Sequence, residues 1–508
     1  MSVERKQRIE FGDFQTPDDL AREICAQLKG FGLNPDTIIE PTCGVGSFLV
    51  AAADTFTQAK AVYGFEVNRS YLEQVEKRVS GRADRQRIQL EAADFFKMDW
   101  RARVDALPGH VLVIGNFPWV TNAVQGSIGG VNMPKKSNFL GHNGFDAISG
   151  KANFDISEWM LLDVLRWLRG RSADVAMLVK TAVARKVLAH AERMGEGVQD
   201  SFLMSIDAKK HFGAAVDACL LVMRLDPNGA RCSDYTVYET LHAKKGKRVG
   251  HRHGMTVGDL DTFESFSFLL GSSPQKWRSG VKHDASSVME FTRTSGGYVN
   301  GAGEVVQLEE QYLFPLLKGS DIGSAKAWRE KFVLVTQRAV GEATHKIQDQ
   351  APRTWRYLTA HAEQLDARGS TIYEKNPRFS IFGVGDYAFR PWRIAICGLY
   401  KALRFRLVGP IEGRPVMFDD TVYYLSFESE RDATETFDHL HSEAATGFLS
   451  SLVFWDEKRP IKTSILNALD WSKLNEQDGE QGQLTLNIAA RNTWSHERRP
   501  AARLAQRR

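Results

Sequence analysis

Residues 36–56, DTIIEPTCGVGSFLVAAADTF, carry the clearest signal of the fold. It opens on a short β-branched run that is typical of a strand, and the run ends in a turn that contains Gly44 and Gly46. SFLVAAADTF then has helical spacing with no breaker. Bulky apolar residues follow the second glycine where the dinucleotide fingerprint GxGxxG needs a third one. Because the acid Glu40 would repel a pyrophosphate, the loop favours a cationic or zwitterionic cofactor.

Alternating strands and helices continue along the chain after this stretch. Further strands are predicted at 61–67, 87–96, 110–119, 173–180 and 217–225, and helices at 70–81, 157–170 and 181–195. The run at 110–119, HVLVIGNFPW, is the most apolar and predicts a central strand that is buried on both faces. This alternation predicts a parallel doubly wound sheet in one α/β domain that ends near residues 226–228.

Functional-looking side chains stand at the ends of four successive strands. Glu40 ends the first strand, Glu66 the second, Asp94-Phe95 the third and Asn116-Phe117-Pro118-Trp119 the fourth. A carboxylate at the end of the second strand can accept both hydroxyl groups of a ribose. Ligands of open α/β sheets bind at the carboxyl ends of the strands, so the four groups together predict a cofactor crevice there.

These motifs resemble those of the N6-adenine DNA methyltransferases in the amino-methyltransferase family, which use S-adenosylmethionine. Phe14-Gln15-Thr16-Pro17 resembles the segment that folds over the methionine end of the cofactor, and PTCGVGSFL resembles the glycine loop. NFPW resembles the catalytic tetrapeptide, and His211-Phe212-Gly213-Ala214 a later motif whose aromatic side chain stacks on the target base. The motif order is that of the γ class. Motifs support the resemblance over residues 11–225, and more loosely over 375–427.

The resemblance implies a Rossmann-like doubly wound methyltransferase sheet, followed by a mixed α+β C-terminal target-recognition domain. It implies cofactor binding by Thr16, Pro17, Glu40, Pro41, Gly44, Gly46, Glu66, Asp94, Phe95 and Asn116. Asn116, Phe117, Pro118 and Trp119 would be catalytic, and Trp119 and Phe212 would stack on an adenine flipped out of duplex DNA. Two acceptors, the Asn116 side-chain oxygen and the Phe117 carbonyl, would aim the amine at the sulfonium methyl group.

One residue departs from the family pattern. Phe117 stands where the tetrapeptide usually has its first proline, so the backbone carbonyl is kept but the fixed φ of proline is lost. Asparagine at 116 favours adenine over cytosine N4, and the chain has no Pro-Cys pair for C5-cytosine chemistry. Transfer to cytosine N4 or to structured RNA stays open, as does a non-catalytic DNA-binding subunit that retains the fold.

The net charge of +4 conceals basic segments on a mildly acidic body. Residues 491–508 hold six arginines and one glutamate, and 244–252 holds five cations without an acid. Aromatic and basic residues interleave over 377–410, a composition suited to phosphates and base steps. The predicted DNA contacts are Arg378, Arg390, Arg393, Lys401 and Arg404.

The predicted domains are a methyltransferase domain at 1–227, a target-recognition domain at 331–475 and a disordered basic tail at 476–508. Residues 228–330 are predicted to be a basic connecting region, with a place in the recognition body as the alternative. Double-stranded DNA is the predicted partner, with a separate restriction endonuclease or defence subunit beside it. Five scattered cysteines, the absence of an apolar run of about 18 residues and a polar N-terminus predict a cytoplasmic protein without a membrane segment. No metal site is expected, and Phe418-Asp419-Asp420-Thr421 is interpreted as a turn between strands.

Overall fold

The computed structural model of the chain describes residues 15–120, 155–229 and 232–474. They form two compact units, unit 1 up to Leu260 and unit 2 from Asp261 onward. The predictions for Phe14 and for the tail at 476–508 lie outside the described residues. Among the helices described, none has the length and apolar character needed to cross a membrane.

Unit 1 alternates helices with strands, as its sequence pattern predicts. Its helices are α1 Asp18–Gly30, α2 Ser47–Thr55, α3 Arg69–Val79, α4 Trp100–Asp105, α5 Ile156–Leu168, α6 Thr181–Met194 and α7 Ala208–Phe212. Its strands are β1 Thr37–Glu40, β2 Ala61–Glu66, β3 Ile88–Ala92, β4 Val111–Asn116, β5 Ala173–Lys180, β6 Val198–Ile206, β7 Ala218–Leu225, β8 Tyr235–Tyr238, β9 Lys247–Arg252 and β10 Met255–Val257. The ten strands form one sheet in the order β10-β9-β8-β6-β7-β5-β4-β1-β2-β3.

The sheet is mixed, which corrects the prediction of a wholly parallel one. β1 to β5 are parallel, but β7 runs antiparallel between β5 and β6. The cause is the connection at 207–217, which is shorter than the dozen or more residues that a parallel crossover requires. β6 was not predicted, and it joins the sheet beside β7.

Apolar burial holds unit 1 together around its central strands. All residues of β1 are buried, as are all but the last residue of β4 and of β5. Strands covered by helices on both faces need such continuous apolar runs. α1 contributes Leu20, Ile24 and Leu28 to the core, because its apolar residues recur at helical spacing.

The segment predicted as one connecting region, 228–330, is divided between the two units. β8 pairs with β6, β9 with β8, and β10 with β9, so residues 235–257 extend the first sheet. Unit 1 therefore continues about 30 residues beyond the predicted boundary at 227. The rest of the segment contributes strands to unit 2.

Unit 2 has an α+β architecture with two largely antiparallel sheets. Its strands are β11 Arg278–Ser279, β12 Glu290–Thr294, β13 Gly297–Asn300, β14 Val305–Val306, β15 Leu313–Leu317, β16 Lys331–Leu334, β17 Trp392–Cys397, β18 Arg406–Val408, β19 Met417–Phe418 and β20 Val422–Phe427. Its helices are α8 Leu260–Phe266, α9 Ser286–Met289, α10 Gly319–Gly323, α11 Ile347–Gln350, α12 Pro352–Ala360, α13 Ala362–Asp366, α14 Glu430–Leu440, α15 Glu443–Leu452 and α16 Thr463–Leu466. One sheet has the order β11-β20-β17-β18 and the other β14-β13-β12-β16-β15-β19. The predicted turn at 418–421 lies between β19 and β20.

Candidate active site

The carboxyl edge of the unit 1 sheet gathers the predicted strand-end residues. Glu40 ends β1, Glu66 ends β2 and Asn116 ends β4, while Asp94 follows β3 after a short gap. β1 pairs in parallel with both β2 and β4, so these residues emerge on the same side. The sheet therefore presents three carboxyl groups and one carboxamide along a single edge.

Two glycines shape the loop between β1 and α2. Gly44 has φ +51° and Gly46 has φ +81°, both in the left-handed region that favours glycine. A Cβ atom on Gly46 would lie 2.9 Å from Val75 Cγ1 in α3, and one on Gly44 would lie 2.5 Å from Gln15 Oε1. Both positions therefore need glycine, because of the backbone angle and because of the close neighbours.

Glu66 is held by backbone groups on both of its carboxylate oxygens. The Gly44 N–H donates to Oε2 at 2.9 Å, and the Asn68 N–H donates to Oε1 at 2.9 Å. The side chain is nearly buried, and its orientation is fixed between the glycine loop and the start of α3. The predicted glycine loop and the predicted ribose-binding acid are thus brought together directly.

Glu40 is a buried acid with spare hydrogen-bonding capacity. It is 3% exposed, and its Oε2 has no hydrogen-bond partner among the described residues. Burial raises the pKa of Glu40 well above its usual value, and the charge of Glu66 raises it further, against a backbone hydrogen bond from Leu49. A neutral Glu40 is the form that burial favours, and a nearby cation would favour the ionised form.

Asp94 and Phe95 have different surroundings at the end of β3. Asp94 accepts a hydrogen bond from the Phe96 N–H at 3.0 Å and pairs with the exposed Lys97 at 2.7 Å. Phe95 is buried, and its ring contacts those of Phe117 and of several tryptophans. The acid therefore keeps partial access to solvent beside a rigid aromatic wall.

Asn116 is oriented by a residue from the segment that precedes α1. Its Nδ2 donates to Thr16 Oγ1 at 3.3 Å, which makes Oδ1 the acceptor end of the amide. Phe117 is 1% exposed, and its ring meets the Phe95 ring edge-on with centroids 5.5 Å apart. Ring packing therefore replaces the fixed φ of proline as the restraint on this turn.

Trp119 and Phe212, the two predicted stacking residues, contact each other. Their ring centroids are 5.0 Å apart in an edge-on arrangement, and Trp119 donates its indole N–H to the Leu178 carbonyl at 3.3 Å. Lys180 Nζ, at the end of β5, donates to the Trp119 carbonyl at 3.0 Å and to buried Asp155 at 2.6 Å. The sequence analysis missed Lys180, although its place at a strand end was a signal for it.

A second missed group ties α1 to the glycine loop. Asp18 accepts hydrogen bonds from Ser47 Oγ at 2.7 Å and from Arg78 at 2.9 Å, and the Ser47 contact is the largest cause of the lowered pKa of Asp18. Arg78 also donates to the Val45 carbonyl at 2.8 Å, while Gln15 Oε1 accepts from the Val45 N–H at 3.1 Å. These contacts fix the segment with Thr16 and Pro17 over the loop.

Comparison with known proteins identifies the family. The chain is 47% identical over 469 residues to the Type II methyltransferase M.NspV from Nostoc sp. (strain ATCC 29411 / PCC 7524), covering 92% of this chain and 97% of that protein. The chain belongs to the Type II methyltransferase family. No protein-family model matches the chain. Its fold is similar to that of the Type IIL restriction-modification enzyme MmeI in complex with DNA, with a TM-score of 0.50, 11% identity, and coverage of 91% of this chain and 65% of MmeI.

As a member of this family the protein is a methyltransferase, and its motifs resemble those of enzymes that use S-adenosylmethionine. The described residues fit that cofactor. The buried Glu40 oxygen without a partner suits a cationic ligand, and the backbone-held Glu66 keeps lone pairs for hydroxyl donors. When it is bound, the cofactor supplies an electrophilic methyl group on a positively charged sulfur.

The predicted DNA contacts in unit 2 of the methyltransferase fall into two groups. Arg393 is 0% exposed and donates to the carbonyls of Ala388, at 2.8 Å, and Arg390. The prediction that Arg393 contacts DNA therefore does not fit this structure, because its guanidinium is used inside the domain. Arg378 pairs with Asp366, Arg390 pairs with Glu428 at 3.1 Å, Arg404 lies 3.5 Å from the Gly323 carbonyl, and Lys401 is exposed.

No group of three or more His, Cys, Asp or Glu residues within 15–120, 155–229 and 232–474 could hold a metal ion. The described carboxyl groups at the edge of the unit 1 sheet therefore do not form such a group.

Proposed function

We propose that this methyltransferase moves the methyl group of S-adenosylmethionine to N6 of an adenine that is flipped out of duplex DNA. The observation that carries the proposal is the end of β4, where Asn116 is oriented by Thr16 at 3.3 Å beside the turn Phe117-Pro118-Trp119. An adenine amine is a poor nucleophile because its lone pair is delocalised into the ring. Groups that accept hydrogen bonds from its N–H groups can localise that lone pair on the nitrogen.

Two acceptors are provided by adjacent residues. Asn116 Oδ1 is the acceptor end of an amide whose nitrogen is already committed to Thr16, and the Phe117 carbonyl is the second acceptor. Hydrogen bonds to both would favour a pyramidal amine and aim its lone pair. The methylated amine is cationic and releases its extra proton to solvent, so no strong base is required. Catalysis then depends on position and electrostatics.

The aromatic residues of the site would hold the flipped base. Trp119 and Phe212 lie together, and Lys180 fixes the Trp119 backbone at 3.0 Å. Exchanging the Trp119–Phe212 contact for a base between or against the rings would offset part of the cost of unstacking that base from the duplex. Glu40, Glu66, Asp94 and Phe95 would hold the cofactor at the same edge, with Thr16 and Pro17 over it.

Unit 2 is proposed as the target-recognition domain. Lys401 and Arg404 are exposed there, beside the carboxylate-paired Arg378 and Arg390. The proposal includes a cytoplasmic enzyme that works beside a separate restriction endonuclease or defence subunit.

The decisive experiment incubates the protein with plasmid DNA and methyl-labelled S-adenosylmethionine and identifies the labelled nucleoside. We expect N6-methyladenine from the wild type. Asn116→Ala should lower the transfer rate by about 10²–10³-fold, the range for losing one preorganised polar contact to a reacting group, while cofactor affinity is retained. Asn228→Ala, a change of an exposed asparagine in the same unit, is the matched control and should keep full activity.

Each alternative gives a distinct result. Label on cytosine N4 or on RNA would replace the proposed substrate. DNA binding without label, unchanged by Asn116→Ala, would indicate a non-catalytic subunit. Loss of cofactor binding together with unfolding in Asn116→Ala would contradict the role assigned to Asn116.

A further inference from the structure

The carboxyl edge of the unit 1 sheet extends well beyond the candidate active site. Pairing registers place Asn116 opposite Leu178, Leu178 opposite Leu220, Leu220 opposite Met204 and Met204 opposite Tyr238. One row of backbone positions thus runs from the end of β4 to the end of β8. β8 is parallel to β6, and both run in the direction of β4, so the turn after Tyr238 leaves the sheet on the side where Asn116 lies.

That turn carries three lysines whose charge no acid among the described residues pairs. Lys244, Lys245 and Lys247, here called the lysine loop, are exposed and form no salt bridge with a described residue. The neighbouring Arg248 and Arg252 differ, because both face Asp234. A cluster of uncompensated positive charges at the surface raises the local potential and attracts anions.

The stretch between the active site and the lysine loop is also accessible. α7 contributes the exposed Lys209 and Lys210, while Asp207 caps that helix at 2.9 Å. The acids of these two segments are Asp207, Asp217 and Glu239, and Glu23 of α1 pairs with His242 just before the lysine loop. Residues 207–217 balance two lysines with two acids, so the excess of positive charge lies in the lysine loop.

The lysine loop is held in place by the residues just before it. Leu241 is buried in the unit 1 core. His242 contacts α1 through both ring nitrogens, with Nε2 at 2.6 Å from Glu23 Oε1 and Nδ1 at 3.0 Å from Gln27 Nε2. An anchored backbone reduces the entropy that binding must overcome, which distinguishes this loop from a frayed basic tail.

We propose that the lysine loop binds the phosphate backbone of the same duplex whose base enters the active site, to one side of that base. The inference rests on the proposed function and adds to it a DNA contact made by the catalytic unit itself. Lysine is a compact charge suited to phosphate, and such contacts position a duplex without reading its sequence.

The sheet sets the distance between the two points. Four strand spacings separate β4 from β8, and at about 4.8 Å each they place the lysine loop about 19 Å from the Asn116 backbone. At about 3.4 Å per base pair, that distance corresponds to roughly five or six base pairs on one side of the target. The contact is therefore expected on one flank of the site.

The test compares two triple variants of the full chain with equal changes in charge. Lys244→Ala, Lys245→Ala and Lys247→Ala together remove the lysine loop. Lys29→Ala, Lys60→Ala and Lys77→Ala together remove three exposed lysines that precede β1, β2 and β3, at the opposite edge of the same sheet. DNA affinity is measured against salt concentration for duplexes with and without the target sequence, and cofactor affinity checks that each variant is folded.

Three lost phosphate contacts should lower the slope of log affinity against log salt by about 2.7. The affinity ratio of wild type to variant should then shrink about 40-fold between 50 and 200 mM salt, on both duplexes alike. The control triple should keep the wild-type slope. Equal slopes in both triples would overturn the inference, as would a loss confined to the target sequence.

A second measurement locates the contact. Shortening the duplex to about four base pairs on one flank of the target should weaken binding by the wild type and by the control, but not by the lysine-loop triple. Equal sensitivity of all three proteins to shortening would contradict the inference. Binding is measured apart from methyl transfer, so a wild type that binds DNA through the loop yet leaves adenine unmodified would contradict only the proposed function.

Discussion

Two basic segments, the lysine loop of unit 1 and the arginines at 378–393 of unit 2, use their cations in opposite ways. In unit 2, Arg393 is fully buried on backbone carbonyls, and Arg378 and Arg390 pair with carboxylates. In unit 1, the lysine loop at the carboxyl edge of the sheet is exposed and unpaired among the described residues. By sequence alone the arginine-rich segment of unit 2 had the stronger case for DNA. The difference shows that the number of cations in a segment says little until their partners are known.

The chemistry of the two side chains explains much of this contrast. The planar guanidinium presents five donors in a fixed arrangement, so it can satisfy several carbonyls inside a domain. Arg406, in β18, shows the same use, donating to the carbonyls of Asp321 at 2.8 Å and Lys326 at 3.1 Å. A lysine ammonium group is strongly hydrated and stays at the surface unless it is paired.

The substitution that should change stability most is at Arg393. It tests whether this arginine stabilises the interior of unit 2. Arg393→Met keeps the apolar length but leaves the Ala388 and Arg390 carbonyls without their donor. We expect a loss of about 2–4 kcal/mol in the free energy of unfolding, measured by urea denaturation, with an unchanged salt dependence of DNA binding. Burial lowers the pKa of Arg393 to about 10, because the charged guanidinium has lost its contact with water.

Arg390→Met is the matched control, because Arg390 is partly exposed and its partner Glu428 is largely exposed. Its effect should stay within about 1 kcal/mol. A change in the salt dependence of DNA binding for Arg393→Met, without loss of stability, would reverse the comparison between the two units.

The next effect concerns Glu40, the buried acid of unit 1. Since folding raises its pKa, the unfolded chain loses this proton at lower pH than the folded protein. Wild-type stability relative to Glu40→Gln should therefore be highest in acid and fall as the pH rises from the ordinary carboxyl range toward the raised folded value. Urea denaturation of cofactor-free protein across that range measures this, and a constant difference between the two proteins would contradict it.

Glu40→Gln should also weaken binding of S-adenosylmethionine by about 10–100-fold, the loss expected for a hydrogen bond to a charged group. The neutral thioether product is the matched ligand and should lose less affinity. Equal losses for both ligands would show that Glu40 does not respond to the sulfonium charge, the one charge that the two ligands do not share.

The weakest effect is expected on the salt dependence of DNA binding. It compares two exposed cations of unit 2, of which one is paired with an acid. Lys401→Ala removes an exposed lysine, whereas Arg378→Ala removes an arginine that pairs with Asp366. We expect Lys401→Ala to lower the salt slope of DNA binding by up to about 0.9 and Arg378→Ala to lower it less. A larger change for Arg378→Ala would show that its ion pair opens when DNA binds.

The fold of unit 1 was largely readable because its apolar runs follow strand and helix periods. β1 to β5 and the helices α2, α3, α5 and α6 lie where the pattern predicts them, whereas α1 was not predicted. The family and the cofactor followed from the resemblance of the strand-end motifs. β6 was missed because Gln199, Asp200 and Ser201 make its first half polar. A register shift between Val198 and Asp200 also interrupts the alternation of side chains between the two faces of the strand. β8 and β10 are very short and β9 is largely polar, so only their pairing shows that they extend the sheet.

Residue roles in the interior depend on contacts that a linear pattern does not contain. Arg393 is the one charged residue in β17, and a charged residue in a strand usually faces solvent. Its side chain nevertheless lies inside unit 2. The sequence suggests that Phe117 makes the turn after β4 less rigid than proline would. Its ring packing on Phe95, which the sequence does not show, restrains that turn. The contact between His242 and Glu23 joins residues more than 200 positions apart.

The contact between His242 and Glu23 connects α1 to both proposed binding sites, that of the cofactor and that of DNA. The helix begins next to Thr16, which meets Asn116, and its middle residues meet His242, which precedes the lysine loop. Thirteen helical residues form a rod of about 20 Å. If DNA at the loop favours one position of this rod, cofactor affinity changes by some factor, and the cofactor must change DNA affinity by the same factor.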